Sequence, residues 1–323
     1  MSRLFNRAIS VRRRPEASDN TPNAKTETYV NAATITHFQA RFQRVLDHIE
    51  EHPLDDLSLD VLSGIAAFSK FHFHRQFAAL FGISVHRYVQ LARLKRASYR
   101  LAFRADDPVI EIALDSGYEG PEAFSRAFKQ RFGQTPTEFR EQPEWTAWHA
   151  AYRPIREMRR VHMKRDLQSA QVRVIEVEAT RVAVLEHRGD PDLIGDSVRR
   201  FIAWRKDVGL PPKISATFNI LYDNPDDTPP AEFRLDLCAA TDRAIPPNSA
   251  GIVLKTIPAG RCAVLRHIGS DDSFGEAARF LYAAWLPESG EEARDFPLYC
   301  QRVAFFPDVP EHEAVTDLFL PLK

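Results

Sequence analysis

Cysteine is scarce in this chain. Cys238, Cys262 and Cys300 are the only three in 323 residues, too few and too scattered for a disulfide framework or a thiolate metal site. Long apolar runs are missing as well. None approaches the roughly 20 residues needed to span a bilayer, and the first residues lack the apolar stretch of a secretory signal. No Walker loop, catalytic-triad pattern or metal-ligand spacing is present, so no catalytic residues, metal or cofactor are expected. What remains is the composition of a soluble globular protein, 44% hydrophobic and 27% charged, long enough for two or three domains. A reducing cytoplasm, at the nucleoid, is the expected compartment, with no membrane partner.

An excess of charge of one sign is absent only in the sum. The net charge of −1 divides unevenly: +3 over residues 1–33, zero over 34–143, +3 over 144–169 and −7 over 170–323. Any nucleic-acid surface should therefore lie before about residue 170. Residues 1–33, with Arg12-Arg13-Arg14-Pro15 and a Ser/Asn/Thr/Pro stretch, read as a disordered tail.

One helical pattern occurs twice, at an offset of 51. Phe73 matches Phe124, Arg75 matches Arg126, Phe77 matches Phe128, and Phe81-Gly82 matches Phe132-Gly133. Helical periodicity starts near Thr34 and stops at His52-Pro53; helices are then expected over 59–66, 70–81, 85–103, 109–116 and 121–132, with a last one starting at Pro136. Ser58 suits the N-cap of the first of these, and Gly82 a left-handed C-terminal position. On the outer face of helix 70–81 fall Phe71, His74 and Arg75, with Lys70 at its start; on that of helix 121–132 fall Glu122, Ser125, Arg126 and Lys129. Arginine at such positions can bond guanine O6/N7 bidentately or hold a phosphate, and Glu122 can accept from cytosine N4 or complement the helix dipole. Two neighbouring helix-turn-helix units suggest double-stranded DNA read in two adjacent major-groove segments.

Beyond residue 143 an arginine-rich stretch, 144–169, reads as a linker. The segment after it is also duplicated, at an offset of 80 to 82: Val182-Ala183-Val184-Leu185-Glu186-His187-Arg188-Gly189 matches Cys262-Ala263-Val264-Leu265-Arg266-His267-Ile268-Gly269, and Trp204 matches Trp285. Each copy reads strand, helix, strand, turn, strand. The expected fold is thus multidomain: an all-α double helix-turn-helix domain over 34–143, then an α+β domain of two β-α-β-β pseudo-repeats over 170–323, with a cleft at their junction.

These residues resemble a known family. Gly117-Tyr118, Phe124-Ser125-Arg126-Ala127-Phe128-Lys129 and Phe132-Gly133-Gln134-Thr135-Pro136 are similar to the C-terminal hallmark of AraC/XylS-type DNA-binding domains. The resemblance implies a transcriptional regulator, often an activator that works with RNA polymerase, and places Phe71, His74, Arg75, Glu122, Ser125 and Arg126 at DNA. Relatives often carry Trp and Gln where this chain has Phe71 and His74.

The second half resembles a gyrase inhibitor-like (GyrI-like) effector-binding domain, through Tyr222-Asp223-Asn224-Pro225, Phe233-Arg234-Leu235-Asp236 and Thr316-Asp317-Leu318-Phe319. Similar domains bind multidrug-like, often cationic aromatic compounds beside an acid on the last strand, a position that Asp317 occupies here in place of the more frequent Glu. The resemblance implies Asp317 at the effector site. The residues themselves offer Trp204, Tyr222, Trp285, Phe296 and Tyr299 as aromatic companions, since a carboxylate among aromatics would attract a cation. Phe218 reads as core, and the two tryptophans read equally as core or as pocket wall. An enzymatic alternative has Asp317 activating water with Tyr222 or His267, and a third reading is a sensor that has lost its ligand and binds only a protein.

Overall fold

The structure, a computed structural model, describes residues 32–162 and 167–323. The expected tail, apart from its last two residues, lies outside the described residues. Seven helices build the double helix-turn-helix: α1 (Ala32–Glu51), α2 (Leu59–Ile65), α3 (Lys70–Phe81), α4 (Val85–Phe103), α5 (Val109–Leu114), α6 (Pro121–Phe132) and α7 (Pro136–Glu141). Side-chain caps start three of them. Ser69 Oγ accepts from the His72 amide, Ser84 Oγ accepts from the Arg87 amide, and Thr135 and Glu138 form a reciprocal capping box. Ser58 stands at the N-cap of α2 but makes no side-chain cap bond. Gly82 and Gly133 close α3 and α6 in the left-handed conformation. Along each recognition helix the Phe-x-x-x-Phe-x-x-x-Phe stripe is buried: Phe73, Phe77 and Phe81 in α3, Phe124, Phe128 and Phe132 in α6.

The stretch read as a linker is largely a helix, α8 (Trp145–His162); residues 163–166 of it lie outside the described residues. Trp145, Trp148, Tyr152 and Ile155 recur at helical spacing and are buried in the same core as the phenylalanines. Trp148 Nε1 donates to Ser98 Oγ at 2.7 Å, and the Tyr152 hydroxyl donates to the Leu91 carbonyl at 3.1 Å. Between the buried residues Arg153 is exposed and Arg156 half-buried, so charge interrupts the apolar period along the sequence.

The second domain is one eight-stranded antiparallel sheet in the order β1-β6-β8-β7-β3-β4-β2-β5. Its strands are β1 (Val172–Val177), β2 (Thr180–Arg188), β3 (Thr217–Leu221), β4 (Arg234–Ala240), β5 (Val253–Ile257), β6 (Gly260–Ile268), β7 (Leu298–Ala304) and β8 (Val315–Pro321). The two β-α-β-β units are β2-α9-β3-β4 and β6-α10-α11-β7-β8, with α9 at Ile194–Asp207, α10 at Phe274–Phe280 and α11 at Leu286–Ser289. A π turn, Leu281–Trp285, joins α10 to α11. Two strands extend the expected pattern, one before each unit, and they are exchanged: β1 pairs with β6 of the second unit and β5 with β2 of the first. The units meet at β3 and β7, where Asn219 faces Cys300. Those two residues are equivalent in the repeat, so the pseudo-two-fold axis passes between them.

Strand alternation gives this sheet two faces. One carries the helices: Phe201 and Trp204 of α9 pack on Leu185, Leu237 and Ala239, while Leu281 and Trp285 pack on Leu265, Leu318 and Leu320. The other face holds Val182, Val184, Phe218, Ile220, Tyr299 and Phe319.

The DNA-binding domain seats on the side that carries the helices. Trp145 Nε1 donates to Asp196 at 2.8 Å, Lys95 to Glu311 at 2.6 Å, and Arg104 to Asp308 at 2.6 Å. Tyr99 packs edge-on against Phe306, with ring centroids 4.8 Å apart.

Candidate DNA interface and ligand cleft

In α3 the buried phenylalanine stripe turns the opposite face outward. Lys70, Phe71, His74 and Arg75 are all exposed, and with Leu59 they line one open depression. Phe71 leaves 65% of its surface to solvent, which is unusual for an isolated aromatic. Arg75 lies one helical turn on, its guanidinium 5.0 Å from the Phe71 ring centroid, so the ring holds the arginine against the helix by cation–π contact. Lys70 is paired with Asp60 of α2.

In α6, Glu122, Arg126 and Lys129 are exposed and Ser125 is half-buried. Arg126 has no partner among the described residues. Glu122 sits in the first turn, beside the helix N-terminus, where a carboxylate complements the macrodipole. Each set of four therefore lies on one helix, and the first set forms a continuous patch.

The effector-site residues do not come together. Trp204 and Trp285 are buried on the helix-bearing side, in two separate clusters. Tyr222, Phe296, Tyr299 and Asp317 belong to the opposite face. The sheet itself stands between the two groups. Of the second group, Tyr299 is packed flat against Phe319 at 4.8 Å and only Tyr222 and Phe296 remain partly exposed.

Nor is Asp317 an open carboxylate. It lies directly across from Arg266 in the β6–β8 pair. Arg266 donates from Nε to Oδ1 and from Nη2 to Oδ2, both at 2.7 Å. This side-on pair satisfies both carboxylate oxygens, so a cationic ligand would compete with a guanidinium already in place.

The equivalent acid of the first unit, Asp236, is fully buried. It accepts from Lys255 Nζ at 2.6 Å and from the Tyr222 hydroxyl at 2.9 Å. Lys255 also pairs with Glu186. Burial disfavours the ammonium, but the two carboxylates outweigh it and hold its pKa above the usual lysine range. Burial and the Asp236 carboxylate likewise push the Tyr222 phenol up.

The hydrolytic set is dispersed. Tyr222 bonds Asp236 rather than Asp317, and His267 stands opposite Thr316 on the helix-bearing face, bonded to the Ser270 carbonyl.

Residues 170–323 match the family described as GyrI-like small molecule binding domain, and residues 62–142 match a helix-turn-helix domain family. The chain is 37% identical over 152 residues to the "Probable transcriptional regulator YgiV" of Escherichia coli strain K12, an alignment spanning 47% of this chain and 95% of that protein. The chain belongs to the GyrI-like family. The domain ahead of its GyrI-like half is an AraC-type helix-turn-helix. It is 36% identical over 100 residues to the "Right origin-binding protein" of the same strain, covering 31% of this chain and 34% of that protein. It is also 36% identical over 104 residues to the "Uncharacterized HTH-type transcriptional regulator YbfP" of Bacillus subtilis strain 168, covering 32% and 35%. The chain thus spans about a third of each of these two relatives.

In this GyrI-like member the sequence reading missed four polar residues of the open face: Glu186, Arg188, Lys255 and Arg266. One signal was available. The matched octapeptides carry Glu186 and Arg266 at equivalent positions, so the two units bear opposite charges at one place in the repeat.

Proposed function

We propose that the chain is a DNA-binding transcriptional regulator that reads two successive major-groove segments with α3 and α6 and responds to a small molecule through its GyrI-like domain. One observation carries the DNA half of this reading. Arg75 and Arg126 stand at equivalent outward positions above equivalent buried phenylalanine ladders, both exposed. The match of residues 170–323 to a small-molecule-binding family supports the sensor half. In this reading Lys70, Phe71, His74 and Arg75 contact one groove segment and Glu122, Ser125, Arg126 and Lys129 the next. RNA polymerase is the protein partner and activation the mode of control, acting in the cytoplasm. Two reading helices in one chain let a monomer span the site.

The test is fluorescence-anisotropy binding of the full chain to fragments of its own upstream region, against random DNA, at two salt concentrations. Tight binding to one fragment that resists salt better than random DNA is expected; equal, steeply salt-sensitive binding to both would leave only electrostatic affinity. Arg75→Ala and Arg126→Ala should each weaken the specific complex by about 1–3 kcal/mol while leaving random DNA little changed. A uniform loss on both DNAs would make them phosphate contacts.

A further inference from the structure

We propose that the open face of the GyrI-like domain, around Tyr222, accepts the anionic group of a planar small molecule, and not a cation. The inference rests on the small-molecule reading above and concerns the charge of the ligand.

The argument begins with which member of each ion pair faces water. Asp236, Asp317 and Asp223 keep 0%, 11% and 14% of their side chains exposed, whereas their partners Arg188, Arg266 and Arg234 keep 42%, 51% and 51%. Glu186, a carboxylate of this face that is left more open, is held between Lys255 and Arg188. Carboxylates thus form the inner layer and guanidinium groups the outer one. This is a local reversal, because residues 170–323 carry 24 acidic against 17 basic side chains.

The hydrogen bonds make the outer layer receptive. A guanidinium has five N–H donors in a planar fork. Arg234 gives Nε and Nη2 to Asp223 at 2.8 Å, as Arg266 does to Asp317. In each case Nη1 and the second Nη2 proton form an opposite edge with no partner among the described residues. That edge matches a carboxylate or phosphate.

Around Tyr222 the groups converge. Arg234, Arg188 and Lys255 lie 5.4, 5.6 and 5.7 Å from its ring centroid. Each of the three is paired with Glu186, Asp223 or Asp236, so the cluster is balanced in charge. Asp223 and Asp236 lie beneath, and a ligand arriving from solvent meets the exposed Arg234 and Arg188 guanidinium groups first, which suits an anion better than a cation. The apolar body of the ligand has Tyr222 and Phe296 to lie against, since both stay partly exposed.

The experiment uses the full chain and three probes with one aromatic body: 2-naphthoate, 2-naphthylmethanol and 2-naphthylmethylammonium, titrated by calorimetry and naphthalene fluorescence. Naphthoate should bind at least about tenfold more tightly than the ammonium probe. Arg234→Gln and Arg188→Gln should each bring naphthoate down toward the affinity of the neutral alcohol. Arg279→Gln, an exposed arginine on α10, should leave it unchanged. Arg234 itself is half exposed, so R234Q is not expected to unfold the domain; the double variant R234Q/D223N, which also removes the mostly buried carboxylate that would be left unpaired, guards against that outcome.

Tighter binding of the ammonium probe, weakened by Asp317→Asn, would overturn the anion assignment and leave the small-molecule reading standing. Equal binding of all three probes, indifferent to R234Q, would likewise overturn it. Saturable binding by none of them would overturn both.

Discussion

Ala67 and Gly117 occupy the same place in the two helix-turn-helix units, and the difference between them is worth energy. The Phe68 amide donates to Ser63 and the Ala67 amide to Gly64; in the second unit Tyr118 donates to Ala113 and Gly117 to Leu114. The turns are therefore built alike, and both place this residue in the left-handed region, with φ of 53° at Ala67 and 74° at Gly117. A Cβ is disfavoured there by about 1–2 kcal/mol, only partly offset by the chain entropy that glycine loses on folding. Ala67→Gly should stabilise the first unit by up to about 1 kcal/mol, seen as a higher midpoint in urea; a lower midpoint would mean the turn relaxes without strain. The residue scale also separates what is legible from what is not. The outward arginines of α3 and α6 follow from counting along a helix, whereas the Asp317–Arg266 pair depends on strand register between residues 51 apart in sequence.

At the scale of elements, α8 shows how composition can mislead. Its arginines suggested a linker, but Trp145, Trp148 and Tyr152 supply a third layer to the core and α8 packs behind both recognition helices, α3 and α6. It is a structural part of the DNA-reading unit. Truncating a buried aromatic typically costs about 3–5 kcal/mol, and Trp148 also gives up a 2.7 Å bond to Ser98. Trp148→Ala should therefore destabilise the helical domain by about that amount in denaturant and reduce DNA binding at 37 °C. A change within about 0.5 kcal/mol, normal for an exposed linker residue, would count against this role. Trp204 of α9 and Trp285 of the π turn after α10 carry the complementary lesson. They align in the repeat, and the alignment correctly marks them as equivalent, but equivalence says nothing of which side of a sheet they cover. The sheet turned out to separate Trp204 and Trp285 from Tyr222.

For the whole molecule, the seating of one domain on the other is the feature with most consequence. The exposed ion pairs across it, such as Arg104–Asp308 and Lys206–Asp106, are worth about 0–1 kcal/mol each. The apolar contacts do more, above all Trp145, which lies so close to Gly195 that a Cβ there would overlap its ring. Alanine is the better helix former of the two, so Gly195→Ala should not harm α9 itself. It should instead wedge the domains apart: heating the full chain should then give two separate transitions in place of one, and the radius of gyration in solution should rise. Lys206→Ala, which removes the exposed pair to Asp106, should keep the single transition. Two transitions already present in the unaltered chain would show that the seating is weak. The recognition helices stay exposed with the domains together, so this arrangement leaves the DNA-reading faces free.

Sequence by itself determined the local and the repeated: helices with apolar stripes, their caps and glycine ends, two duplications, and the family to which each half belongs. These are properties of spacing along the chain, and spacing is what a sequence records. Tertiary structure alone decided the exchange of β1 and β5, the face on which each tryptophan lies, the neutralisation of Asp317, and the seating of the helical domain on α9. Each of these depends on contacts between residues distant in sequence, where register and the sidedness of the sheet, not periodicity, select the partner.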